Sequence, residues 1–224
     1  MSSRKLIGLE IRGAASTGHL IRVLPLAVLT PFVSLWPQFG SPFIPALVAA
    51  FLSLEPFYNN TLNTWPGQLT AYGLLPADWI VYLRAKNCAT ALITLGVVSL
   101  FMLLTAFMQP VAPNSGEATA CALYLLSILF PLLAIGNVVS WQQPRARIGW
   151  GLEDAAAGLV MLLILGLVSL PYALLSTLEQ NEVPLLIYSG MAAVIWWHEA
   201  IPRAAKSIHE RFSTLWHKTQ TSLP

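Results

Sequence analysis

The chain has 224 residues, of which 56% are hydrophobic and only 10% charged, against about 25% charged in ordinary soluble domains. Its formal net charge is +2 and its mean hydropathy +0.65. So few charges leave no water-facing coat for a soluble globule of this size and no basic surface for nucleic acid, and the composition points instead to an all-α integral membrane protein.

Residues 4–22 read as an interfacial helix. Ile7, Ile11, Ala14 and Ile21 share one face at helical spacing, with Lys5, Arg12, Ser16 and His19 on the other. The first span is expected over 23–36, interrupted by Pro25 and Pro31, and the second over 43–58, with Glu55 near its end. Residues 88–108 are an uncharged run long enough for about 30 Å of hydrocarbon and form the third span. The Pro/Asn/Ser/Gly-rich loop 109–117 leads into a fourth span over 118–140, which contains Pro131 and Asn137. The fifth span covers 154–178 and the sixth 183–201, ending in Trp196 and Trp197 as an aromatic anchor. Residues 203–218 read as an amphipathic tail, with Ile208, Phe212, Leu215 and Trp216 opposite Arg203, Lys206, Glu210 and His217.

Charge placement orients these six spans. All 12 Lys and Arg fall before span 1, between spans 2 and 3, between spans 4 and 5, or after span 6. The remaining loops carry only Glu117, Glu179 and Glu182. The positive-inside rule therefore predicts both termini in the cytoplasm of a multi-pass protein, of the bacterial inner membrane. Cys88 and Cys121 lie near opposite ends of two spans, so no disulfide is expected, and no secretory leader is visible at the start.

Residues 55–87 are the segment that fits neither a span nor a simple loop. They carry Trp65, Tyr72, Trp79 and Tyr82 together with Asn59, Asn60, Asn63 and Gln68. Two short helices are expected within residues 62–84. One opens at Thr64-Trp65-Pro66, with Thr64 as cap, and sets Leu62, Trp65, Leu69 and Tyr72 on one face. The other starts near Pro76, with Asp78 in its first turn, and leads through Arg84 and Lys86 into span 3. The segment reads as a structured docking surface at the cytoplasmic membrane face.

Catalytic chemistry is not expected of this chain. No ionisable residue sits at mid-span, as a proton-coupled carrier requires. His198-Glu199 and His209-Glu210 are not followed by the second histidine of a zinc helix, and no Gly-Lys dipeptide marks a phosphate-binding loop. Glu153 and Asp154, near Arg145 and Arg147, read as the acidic first turn of span 5 rather than as an acid/base pair.

The topology and local wording resemble a type-2 ATP-binding-cassette (ABC) permease. The residues that carry the resemblance are Glu55 with Asn59-Asn60, Leu74-Leu75-Pro76, Lys86-Asn87, and Gly136-Asn137-Val138-Val139-Ser140 with Pro144-Arg145. The resemblance implies that the N-terminal helix is an elbow helix and that 62–84 is a coupling segment seated on a separate ABC ATPase subunit. Trp65, Gln68, Leu69, Tyr72, Pro76 and Trp79 are then the contacts. It further implies that ATP and Mg belong to that partner, that this chain holds no metal or cofactor, and that a second copy or a homologous six-span permease completes the pathway. Glu55, Asn60, Lys86, Glu153 and Asp154 become candidates for a cytoplasmic gate. Thr105, Ser127 and Asn137 are candidates to line the pathway of an exporter. The competing expectations are a non-transporting membrane scaffold or assembly factor that docks a cytoplasmic partner, and a lipid-modifying membrane enzyme.

Overall fold

The computed structural model describes residues 3–16, 23–34, 43–54, 79–108, 115–142, 163, 165–167, 169–170 and 183–210. Among these residues the chain is helical, without strands. The helices are α1 (Ser3–Ser16), α2 (Val23–Ser34), α3 (Phe43–Ser53), α4 (Trp79–Met108), α5 (Ser115–Gln142) and α6 (Val183–Ile195). A π-helical turn, Trp196–Ala200, joins α6 to α7, residues 201–210.

α4 organises the rest. Its 30 residues span about 45 Å at 1.5 Å per residue, and it is the one helix among those described that is long and apolar enough to cross a membrane. α5 contributes a shorter apolar stretch, Cys121–Asn137. α2 and α3, with 12 and 11 residues, reach only about 18 and 16 Å. Residues 55–58 of the second expected span lie outside the described residues. α3 ends at Ser53, where Leu54 N–H donates to the Phe51 carbonyl at 3.2 Å. Pro56 follows two residues later and disfavours helical geometry in the residue before it.

Helices α1, α2 and α3 all pack on α4, while α5 packs on α6 and the π turn. One core joins them. Leu47 and Phe51 of α3, with Leu54 just beyond it, meet Leu83 and Phe101 of α4, Ile128 and Leu132 of α5, and Ile201 and Ile208 of α7.

Burial along α4 changes character part-way. From Tyr82 to Thr90 every residue but Arg84 and Cys88 is buried, so this part of the helix is surrounded. Beyond it, burial narrows to the stripe Thr94, Val97, Val98, Phe101 and Thr105. Leu92, Leu95, Leu100, Leu103 and Phe107 face outward, with Phe107 79% exposed. α2 and α6 are likewise apolar outside, through Leu24, Val28, Leu186, Ile187, Met191 and Val194. Polar side chains run the other way, since Thr90, Thr94, Thr105, Ser127, Asn137 and Ser189 are all buried. This polarity is the reverse of a water-facing bundle, in which such exposed apolar area is rare.

The N-terminal helix packs on α4 through Leu6 and Glu10, which are buried, and leaves Ile11, on the face expected to rest in lipid, exposed. The last span and the tail are one continuous run rather than two pieces. Pro202 has no N–H, and its ring would clash with the carbonyl four residues back, that of His198. The helix accommodates it by widening just upstream, where Ile201 N–H reaches five residues back to the Trp196 carbonyl. The tail's amphipathic pattern holds as far as it is described: Ala204, Ala205 and Ile208 are buried, and Arg203, Lys206 and Glu210 are exposed.

Candidate functional site

The head of α4 gathers the polar side chains of several elements. Trp79 and Tyr82 are one turn apart and their rings meet edge to face at 5.9 Å. Lys86, one turn further, donates from Nζ to Tyr82 Oη at 3.4 Å and lies 5.7 Å from the Tyr82 ring centre. The same Nζ is 3.9 Å from Glu10 Oε2 on α1, and both side chains are almost wholly buried. Residues 82, 86 and 10 thus meet because helical spacing stacks the first two and α1 lies across that face. Burial holds the Glu10 carboxyl above the ordinary carboxylate range, and the Lys86 ammonium partly opposes this.

Asn87, the next residue, ties α4 to α5. Its Nδ2 donates to the Leu83 carbonyl at 2.7 Å and to Asn137 Oδ1 at 3.1 Å. The other halves of this amide pair, Asn87 Oδ1 and Asn137 Nδ2, are buried without hydrogen-bond partners. Groups buried in this way carry a desolvation cost that no bond within the chain offsets. Arg84, on the outer side of the same turns, stacks on Trp197 of the π turn at 4.7 Å. Trp196 behind it packs on Phe130 of α5 at 5.3 Å and on Trp197 at 5.4 Å. α1, α5 and the π turn are therefore all joined to α4 within three turns.

The residues expected to gate and couple divide accordingly. Lys86 and Asn137 are brought together through Asn87. Trp79 is 8% exposed and its ring packs within the chain rather than on an open face. Trp65, Gln68, Leu69, Tyr72 and Pro76, as well as Glu55, Asn60, Glu153 and Asp154, lie outside the described residues.

Of the pathway candidates, Ser127 is engaged within α5, donating from Oγ to the Tyr124 carbonyl at 2.8 Å. Thr105 is wholly buried and its hydroxyl has no hydrogen-bond partner. Trp196 faces the core instead of the interface. A further polar tie links α5 to Leu165 and Ser169. Ser169 Oγ donates to the Leu165 carbonyl at 2.6 Å, which leaves the Tyr124 hydroxyl to donate to Ser169 at 2.9 Å.

Glu10, Arg84 and Asn87 were not legible as site residues from the sequence. Asn87 could have been found, since it stands beside Lys86 in the run Arg84-Ala85-Lys86-Asn87 at the mouth of an apolar span. Glu10 carried no such signal.

Among the described residues no group of three or more His, Cys, Asp or Glu side chains converges as a metal site. Glu199 is paired with Arg203 at 2.8 Å on the surface. At the head of α4 a buried ion pair, an amide pair and a stacked guanidinium fasten three elements to one long helix. Comparison of the chain with protein-family models, with curated proteins and with solved structures gives no match in any of the three.

Proposed function

We propose that this chain is the transmembrane permease subunit of an ABC transporter, embedded as six spans with both termini cytoplasmic. It works as an exporter, paired with a second copy or a homologous permease and driven by a separate ATPase subunit. The observation that carries this reading is the build of α4. A helix long and apolar enough to cross a bilayer is gripped all round at the end where residues 55–78 lead into it, and faces outward with leucines along the rest. A push delivered through that segment would reach a helix whose head is fixed to α1, α5 and the π turn, so it would move these elements together rather than bend one of them.

The outward leucines of α2, α4 and α6 favour lipid as the surrounding medium. The buried, unpartnered hydroxyl of Thr105 and amide of Asn137 are donors available to a polar part of a cargo. On this reading Trp65, Gln68, Leu69, Tyr72 and Pro76 seat the ATPase, which alone holds ATP and Mg.

The test is to change Trp65 and Tyr72 to Ala and measure transport and substrate-stimulated ATP hydrolysis in reconstituted vesicles. Loss of both from a chain that still inserts and runs as a single species supports the proposal. An assembly that never depends on nucleotide points instead to a scaffold.

A further inference from the structure

The stack of Arg84 on Trp197 fastens the π turn to α4 at one corner, but a cation–π contact does not satisfy the guanidinium's N–H donors. Arg84 is half-buried, its guanidinium lies 4.7 Å over the Trp197 ring, and its Nε is buried without a hydrogen-bond partner. Among the described residues no carboxylate pairs with it. Glu199, the acidic residue closest in sequence to Trp197, is held by Arg203 at 2.8 Å. A stacked arginine is fixed in orientation and keeps its outer N–H donors for two oxygens of an anion such as a carboxylate or phosphate. Trp197 is itself fixed from behind by Trp196, which packs on Phe130.

The surroundings identify the kind of anion. On one side of the corner the helices that carry it expose apolar side chains: Leu92 and Leu95 on α4, and Met191 and Val194 on α6. Leu95 lies three turns along α4 on the face of Arg84. On the other side the π turn and α7 expose the ion pairs Glu199–Arg203 and Lys206–Glu210. The corner therefore sits where an apolar exterior gives way to a charged one. A free phosphate would use only the cation. A phospholipid would use the cation for its headgroup and the adjoining leucine surface for its acyl chains.

We propose that Arg84, stacked on Trp197, is a binding site for the phosphate of an anionic phospholipid, whose acyl chains lie along the exposed faces of α4 and α6. This rests on the membrane reading of the chain but not on its being a permease.

The test is native mass spectrometry of the chain released from bilayers containing equal amounts of phosphatidylglycerol and phosphatidylcholine. The wild type is expected to retain phosphatidylglycerol preferentially, and excess inorganic phosphate is expected not to displace it. Arg84→Gln is expected to weaken retention about tenfold, as loss of a charge-assisted hydrogen bond does, and Trp197→Leu to weaken it in the same direction. Arg203→Gln, on the exposed pair, is expected to leave it unchanged.

Equal retention of the two lipids by the wild type overturns the site without recourse to any variant. So does unchanged retention in a folded Arg84→Gln protein, and displacement by phosphate reassigns the corner to the free anion. A chain that cannot be incorporated into the bilayer at all refutes the membrane reading itself, which is a separate outcome.

Discussion

Changing Lys86 to Met removes the ammonium that faces Glu10 while keeping the length and apolar stem of the side chain. At 3.9 Å and an effective dielectric of about 20, the attraction lost is about 4 kcal/mol. Solvent takes little of this away, because the two side chains are 3% and 2% exposed. Removing one partner of such a pair typically costs about 3–5 kcal/mol, which for a chain of this size lowers the melting temperature by about 10 °C.

Acid should restore part of the loss. Burial already raises the Glu10 pKa, and without Lys86 to oppose it the value rises further. A carboxyl with a raised folded pKa contributes its full stability below the ordinary carboxylate range and loses it as pH climbs through the raised value. Lys86→Met is therefore expected to be close to wild type in acid and most destabilised at neutral pH.

The double variant Glu10→Gln/Lys86→Met, with no buried charge left in the pair, is expected to be at least as stable as wild type across that range. Thermal unfolding of the detergent-solubilised proteins at several pH values reads all three curves. If the double variant is no more stable than Lys86→Met at neutral pH, the pair does not act as a unit and the reasoning fails.

Other expectations follow from the same geometry. Asn137→Leu removes one hydrogen bond to Asn87 but also a buried orphan Nδ2, so stability should change by about 1 kcal/mol or less, while transport falls if this amide serves the pathway. Melting and flux measured on the same preparation separate the two effects. With Cys88 and Cys121 replaced by Ser, a cysteine at Asn114→Cys should react with a membrane-impermeant maleimide on intact cells. One at Thr219→Cys should react only after permeabilisation, and the opposite pattern would invert the topology.

Much of the helical plan is readable without the structure, because it depends on local properties. The apolar run 88–108 lies inside α4, and the second helix expected near Pro76 leads unbroken into it. The amphipathic pairing of Ile208 against Arg203 and Lys206 also survives. What a single sequence hides is pairing at long range. Glu10 looks like one more polar residue of a surface helix until Lys86, on another helix, lies against it and both are withdrawn from water. Ile11 belongs to the apolar stripe expected to rest in lipid and is exposed, while the opposite packing of Leu6 and Glu10 on α4 depends on what α4 presents. By sequence the last span and the tail part at 201–203, whereas the helix runs on through Pro202 by widening into the π turn, an adjustment that periodicity does not display. The orphaned groups of Asn87 and Asn137 are likewise facts of three-dimensional packing.

The proposal that this chain converts ATP hydrolysis on another subunit into movement of its own helices is tested most directly by affinity purification in mild detergent, followed by assay of the eluate for ATP hydrolysis. The expected result is a stoichiometric ATP-hydrolysing subunit that remains with the wild-type chain and is lost when Trp65 and Tyr72 are both changed to Ala. A folded, membrane-extracted chain that elutes without any ATP-hydrolysing subunit would contradict it.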